Sequence, residues 1–153
     1  MAGPPYEPQD PDFEQRVRRS FARQRVMETL GATLRRIEPG LIEIEIPFRE
    51  EFTQQHGFVH AGIVATVADS ACGFAAFSLM PPDAGVLAVE FKVNLLSPAL
   101  GDALVARGRV RRAGRTISVC EADVFAIRDG EEKPIATMIG TIMTIRDRAG
   151  VEG

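Results

Sequence analysis

Tryptophan is absent from these 153 residues and tyrosine occurs once, so the chain offers few flat faces on which nucleic-acid bases could stack. A cationic excess is missing too: the formal net charge is -3, which gives no general attraction to a phosphate backbone. Nucleic acid is therefore not an expected partner. Cysteine occurs twice, as Cys72 and Cys120, without CxxC spacing and inside apolar stretches. That suits buried thiols in a reducing compartment, the cytoplasm, better than a disulfide or a metal site. The opening MAGPPYEPQDPDFEQ lacks a basic start followed by an apolar stretch, so no secretory signal is visible. Long hydrophobic runs are scarce; the one from Gly57 to Met80 carries only His60 and Asp69 as ionisable groups. Its length could span a bilayer. Its glycines, a mid-segment aspartate and the lack of a Lys/Arg asymmetry at its ends favour a buried core helix, and no membrane is expected.

What is present, 45% hydrophobic and 25% charged residues, is ordinary for a globular protein and enough for one domain. A Pro-rich flexible arm is expected over 1–10, a single domain over 11–146 and a tail over 147–153. Pro11 to Leu30 carries Phe13, Val17, Phe21, Val26 and Leu30 at helical spacing, which predicts an amphipathic lead helix. Its arginines (Arg16, Arg18, Arg19, Arg23 and Arg25) read as a solvated face. From Ala32 the period changes to two: Ile42, Ile44 and Ile46 alternate with Glu43 and Glu45 after a Pro39-Gly40 turn, which predicts a hairpin. The long apolar helix follows, roughly His60 to Leu79, stopped by Pro81 and Pro82.

Four more strands are predicted, over Val86 to Leu96, Asp102 to Arg112, Arg115 to Ile127 and Pro134 to Ile145, separated by turn sequences. In the first, Leu87, Val89, Phe91, Val93 and Leu95 form one face against Ala88, Glu90, Lys92 and Asn94, as in a sheet covered on one side. An apolar helix needs cover, and one antiparallel sheet of about six strands curled around it supplies that cover. The class is α+β.

On a helical wheel, Ile63, Val64, Val67, Ala71 and Phe74 share one side of the long helix, with Ala65, Asp69, Cys72, Gly73 and Ala76 opposite. Asp69 is a poor mid-helix residue with no Lys or Arg in the helix to pair with it, so partial burial carries a desolvation cost. Two readings stand: local bonding, for example to Thr66, or use as a nucleophile or general base on a face small enough to admit a substrate. Before the helix stands Gln54-Gln55-His56-Gly57-Phe58-Val59-His60-Ala61-Gly62. Helix N-terminal amides lack partners, so those of Ala61 and Gly62 are candidates to stabilise an oxyanion. For His56 and His60, capping is as good a reading as catalysis. No third ligand stands at metal spacing, so no metal is expected.

These residues resemble the hotdog-fold acyl-CoA thioesterases, particularly the PaaI type associated with phenylacetate degradation. The matching pieces are Gly57-Phe58-Val59-His60-Ala61-Gly62, then Ala68-Asp69-Ser70-Ala71, then Ser97-Pro98-Ala99 and Gly101-Asp102. Order and spacing match from about residue 30 to 145. The resemblance implies a hotdog fold, a curved antiparallel sheet wrapped around one long central helix, plus the N-terminal helix. It implies homodimers or homotetramers with active sites at the subunit interface, and an acyl-CoA substrate with no cofactor beyond the coenzyme A that the substrate carries.

By that resemblance Asp69 is the nucleophile or general base, Gln54 orients substrate or water, Ala61 donates the oxyanion N–H beside Gly62, and His60 holds the loop. Lys92, Arg111, Arg112 and Arg115 become candidates for the coenzyme A phosphates, and Asn94, Ser97 and Pro98 for the pantetheine path. The usual HGG reads His60-Ala61-Gly62 here. The hydroxyl that some relatives place near the water corresponds to Ala88 and Gly73. Phe58, Phe74, Phe77 and Met80 are expected to border a pocket for an aromatic or medium-chain acyl group. The alternatives are a non-catalytic acyl-CoA binding module and a hotdog hydratase or dehydratase.

Overall fold

The computed structural model describes residues 6–153; residues 1–5 of the expected arm lie outside the described residues. Three α-helices, α1 (Phe13–Arg23), α2 (Arg25–Leu30) and α3 (Ala61–Phe77), and one short 3-10 helix (Glu50–Phe52) accompany six strands: β1 (Thr33–Glu38), β2 (Leu41–Pro47), β3 (Gly85–Leu95), β4 (Ala103–Arg112), β5 (Ile117–Arg128) and β6 (Glu131–Ile145). The strands form one antiparallel sheet in the order β1-β2-β4-β5-β6-β3. This is the predicted α+β layout, a curved sheet against one long helix.

Alternation sets the strands. In β2, Ile42, Ile44 and Ile46 are fully buried while Glu43 and Glu45 face outward, the period of a strand with one covered face. The β5–β6 turn is Asp129-Gly130, both at positive φ (51° and 79°), the two-residue geometry that Asp-Gly accommodates. α3 starts at His60, whose Nδ1 accepts from the Gly62 amide at 2.8 Å, and its buried residues pack on β2 to β6. No helix among the described residues is long and apolar enough to cross a membrane.

Four local expectations are corrected. The lead helix is two helices, because Gln24 takes an extended conformation (ψ 94°) between α1 and α2. Arg16 is not on a solvated face: it is 3% exposed, its guanidinium donates to the carbonyls of Phe77 (3.0 Å), Met80 (2.7 Å) and Pro81 (2.5 Å), and Nε stands 3.3 Å from Asp10 Oδ2. It thereby caps the C-terminal end of α3, where helix carbonyls lack partners. Residues 6–10 are laid on the domain rather than loose, with Tyr6 packed on the core, Gln9 Nε2 donating to Leu79 O at 3.0 Å, and Asp10 buried.

The fourth correction concerns β3. A bulge between Ala88 and Glu90 shifts its pairing with β6, so Ala88 pairs with buried Ile142 and Phe91 with Gly140, while Leu87 pairs with Met143 on the other face. The extra residue reverses the alternation. Leu87 is therefore separated from Phe91, Val93 and Leu95. As an edge strand β3 is covered only in part: Val86 and Val93 pack against the core, while Val89 is 53% and Leu95 56% exposed.

Candidate functional site

The loop before α3 is braced from several sides. Gln54 N donates to Phe58 O (2.8 Å), Gly57 N to Gln54 O (3.0 Å), Val59 N to Ala99 O (2.9 Å) and His60 N to Phe52 O (2.8 Å), and Gly57 supplies the positive φ of 82° that the turn needs. Gln54 Oε1 accepts from His56 N at 2.5 Å. At the helix start, Ile63 N and Val64 N donate to His60 O, and Gly62 N to His60 Nδ1. Ala61 N is left without a partner among the described residues. Of the two amides expected to serve as oxyanion donors, Gly62 is thus taken by its own cap and Ala61 is free. The His60 cap role that the sequence left open is the one observed.

Ala61, Gln54, His60 and Phe58 line a cavity of about 550 Å³, closed on the other side by Leu95, Ser97 and Pro98. The first turn of a helix presents its free amides and positive dipole end at its start, and the cavity at that end has mixed walls, with Gln54, Gln55 and Ser97 among apolar side chains.

Asp69 lies elsewhere. Eight residues after Ala61, it stands about 12 Å further along the helix axis, in a separate cleft of about 80 Å³ with Gln24, Ser70, Gly73, Phe74, Val86 and Ala88. Its carboxylate makes no hydrogen bond or ion pair among the described residues; Thr66 Oγ1 donates to Gly62 O instead. Burial pushes its pKa above the ordinary 3.8. A half-buried carboxylate without a partner holds its proton more readily than an exposed one, because burial disfavours the charged form. The small-residue face is narrower than the wheel suggests: Cys72 and Ala76 are buried, leaving Ala65, Asp69 and Gly73 partly open. Gly108 explains this, since it lets β4 approach the Ala71–Cys72 backbone closely.

The remaining sequence candidates divide. Ser97 and Pro98 line the larger cavity, whereas Lys92 and Asn94 project from the other face of β3, paired with Ile139 and Thr137. Arg111, Arg112 and Arg115 cluster at the β4–β5 tip, where Arg111 pairs with Glu121 at 3.5 Å. The length of β4, roughly 30 Å at 3.3 Å per residue, separates that tip from the Pro98 mouth, so a single chain does not bring the cluster to the cavity. Phe77 and Met80 are buried against Arg16, away from the cavities of Ala61 and Asp69, and Met80 borders only a small hollow of about 30 Å³ beside Pro81; Phe58 and Phe74 do line those cavities. The sequence reading missed Gln24, Ser70 and Val86 beside Asp69. It also missed Arg128 and Lys133, which border a second cavity of about 460 Å³ that shares Phe58 and Pro98 with the first. No group of three His, Cys, Asp or Glu able to hold a metal occurs among the described residues.

Residues 56–133 match the thioesterase superfamily. The fold superposes on a crystal structure of a thioesterase family protein from Silicibacter pomeroyi with a TM-score of 0.86 and 55% identity, covering 88% of this chain and 98% of that one. The PaaI protein of the E. coli phenylacetic acid degradation operon shares the fold at a TM-score of 0.78 and 19% identity, over 92% and 96% of the two chains. Human acyl-coenzyme A thioesterase 13 is 30% identical over 93 residues, 60% of this chain and 66% of that protein. With its sheet, its capped central helix and these relatives, the chain belongs to the thioesterase superfamily as a hotdog-fold thioester hydrolase that shares its fold with PaaI.

Proposed function

We propose that this hydrolase acts on an acyl-coenzyme A carrying an aromatic or medium-length aliphatic acyl group, in the cytoplasm, with no cofactor beyond the coenzyme A of its substrate. The observation that carries the reading is Asp69: a half-buried carboxylate without a partner, in a cleft with room for water. Asp69 acts as general base. It takes a proton from water as the water oxygen bonds to the thioester carbonyl carbon, and the Ala61 amide holds the resulting oxyanion. Collapse of that intermediate breaks the carbon–sulfur bond, and the departing thiolate of coenzyme A receives the proton from Asp69. Gln54 orients the substrate from the loop.

The 12 Å offset between Asp69 and Ala61 supports a site shared between two chains. The uncovered apolar edge β3 supports it too, because an exposed strand edge is a template for pairing. In a homodimer joined there, one chain's Asp69 serves beside the other chain's Ala61 and Gln54, and two dimers associate as a homotetramer. Arg112 and Arg115, exposed and without ion pairs among the described residues, hold the coenzyme A phosphates across that interface. Human acyl-coenzyme A thioesterase 13 and a 1,4-dihydroxy-2-naphthoyl-CoA hydrolase among the relatives support the substrate class.

The test is thiol release from aromatic and straight-chain acyl-CoAs by wild type and Asp69→Ala, with sizing of both. Loss of about 100-fold or more in kcat with unchanged assembly is expected. Full activity in the variant removes Asp69 from the mechanism, and no release by wild type from any acyl-CoA overturns the substrate class.

A further inference from the structure

The N-terminal segment delivers one side chain to the Asp69 cleft. Gln24 separates α1 from α2 and stands where a Ser, Thr, Asp or Asn would cap α2, yet it makes no side-chain cap bond. Its carboxamide reaches across to α3, where Oε1 accepts from Ser70 Oγ at 3.1 Å. The segment that carries it is fixed: Arg16, two turns earlier, is bonded to the C-terminal end of α3, and Phe21 packs on Phe74 with ring centroids 5.7 Å apart. Gln24 is therefore held in place rather than lying loosely over the cleft.

The polar inventory of the cleft is short. Gly73, Phe74, Val86 and Ala88 supply no polar side-chain atom. An ionised Asp69 only accepts hydrogen bonds, and the one hydroxyl proton, that of Ser70, is committed to Gln24. Gln24 Nε2, with two N–H groups and no partner among the described residues, is the one uncommitted side-chain donor lining the cleft.

A water activated by a carboxylate gives one O–H to the base and aims one lone pair at the carbonyl carbon. A donor to its second lone pair fixes the orientation of the attack. We propose that Gln24 Nε2 supplies that hydrogen bond, so that Gln24 holds the hydrolytic water against Asp69, a part that the methyl of Ala88 and the bare Gly73 cannot play. The inference rests on the reading of Asp69 as general base. No new bond chemistry is involved: the water proton goes to Asp69, its oxygen to the carbonyl carbon, and Gln24 keeps its protons throughout.

The experiment compares wild type, Gln24→Leu, Gln24→Glu and Asp69→Ala on one good acyl-CoA substrate, with kcat and KM separated and kcat/KM followed against pH. Gln24→Leu is expected to lower kcat about 10-fold or more with KM little changed. Gln24→Glu sets a second carboxylate beside Asp69, the only ionisable side chain lining the cleft among the described residues. The acid limb of its pH profile is therefore expected to move to higher pH, because like charges disfavour ionisation. An unchanged kcat in Gln24→Leu, a rise in KM at constant kcat, or a Gln24→Glu profile that superposes on wild type overturns the proposal. Should Gln24→Leu fold poorly, the near-isosteric Gln24→Glu profile decides alone. If Asp69→Ala is inactive while Gln24→Leu is normal, only the Gln24 inference falls; an active Asp69→Ala removes the general-base reading beneath it.

Discussion

Gly108 of β4 lies against Ala71 of α3 so closely that a β-carbon on Gly108 would overlap the Ala71 carbonyl group. Both partners are backbone, so neither can swing aside as a flexible side chain would. Gly108→Ala is expected to cost about 1–3 kcal/mol through forced separation of helix and sheet. Urea unfolding should show a lower midpoint at an unchanged slope; a variant as stable as wild type would mean the contact relaxes freely.

Arg16 joins a buried ion pair to three helix-end carbonyls. Burial lowers its pKa, Asp10 opposing that shift, yet guanidinium stays charged at any working pH. Arg16→Met should cost about 3 kcal/mol, since it strands the buried Asp10 carboxylate and frees the carbonyls. The double variant Asp10→Asn/Arg16→Met should recover part of that loss by removing the uncompensated charge, as read from thermal melts. A double variant less stable than the single one would contradict this account.

The raised pKa of Asp69 has a defined pH signature. Because burial makes the folded chain bind this proton more tightly than the unfolded chain, the carboxylate costs nothing below its ordinary value of 3.8. The penalty grows as pH climbs through the window above that value and persists at neutrality. Asp69→Asn should therefore be more stable than wild type at neutral pH and lose that advantage at about pH 3. The acid limb of kcat/KM in wild type should lie above the ordinary carboxylate value. Equal stabilities across the whole range would show that Asp69 is fully solvated.

Cys72 and Cys120 are fully buried. Burial pushes the Cys120 thiol up to about 12, and Cys72, with Cys120 and Asp69 beside it, higher still. The thiolate is the reactive form. An aromatic disulfide reagent should find no reactive thiol in the native protein and two per chain in denaturant; rapid native labelling would show that the helix–sheet contact opens.

Most of the strand and helix framework could be read from local pattern. The isoleucine alternation of β2, the Asp129-Gly130 turn and the prolines after Met80 act over a few residues, so the chain announces them. Three features do not announce themselves. The break at Gln24 has no Gly or Pro and interrupts an unbroken helical spacing; docking onto Ser70 accompanies it. Arg16 looks like any solvated arginine because its partners are backbone carbonyls over sixty residues away. The bulge after Ala88 carries no turn residue, yet it reverses the facing of Leu87 relative to Phe91. At the site, the HxG and Asp69 motif pointed to the two cavities, but that His60 would occupy the Gly62 amide and leave Ala61 free is a matter of capping geometry.

The eight-residue interval from Ala61 to Asp69 behaves as a ruler. Inserting one residue between them would turn one group by about 100° relative to the other and move it about 1.5 Å along the axis, carrying the carboxylate to the buried position now held by Ser70. Between the two, Val64, Val67 and Ala68 are packed in the core, so the same shift would also turn core side chains out of their places. An insertion or deletion here would therefore disturb the packing of α3 on the sheet and the placing of both groups at once.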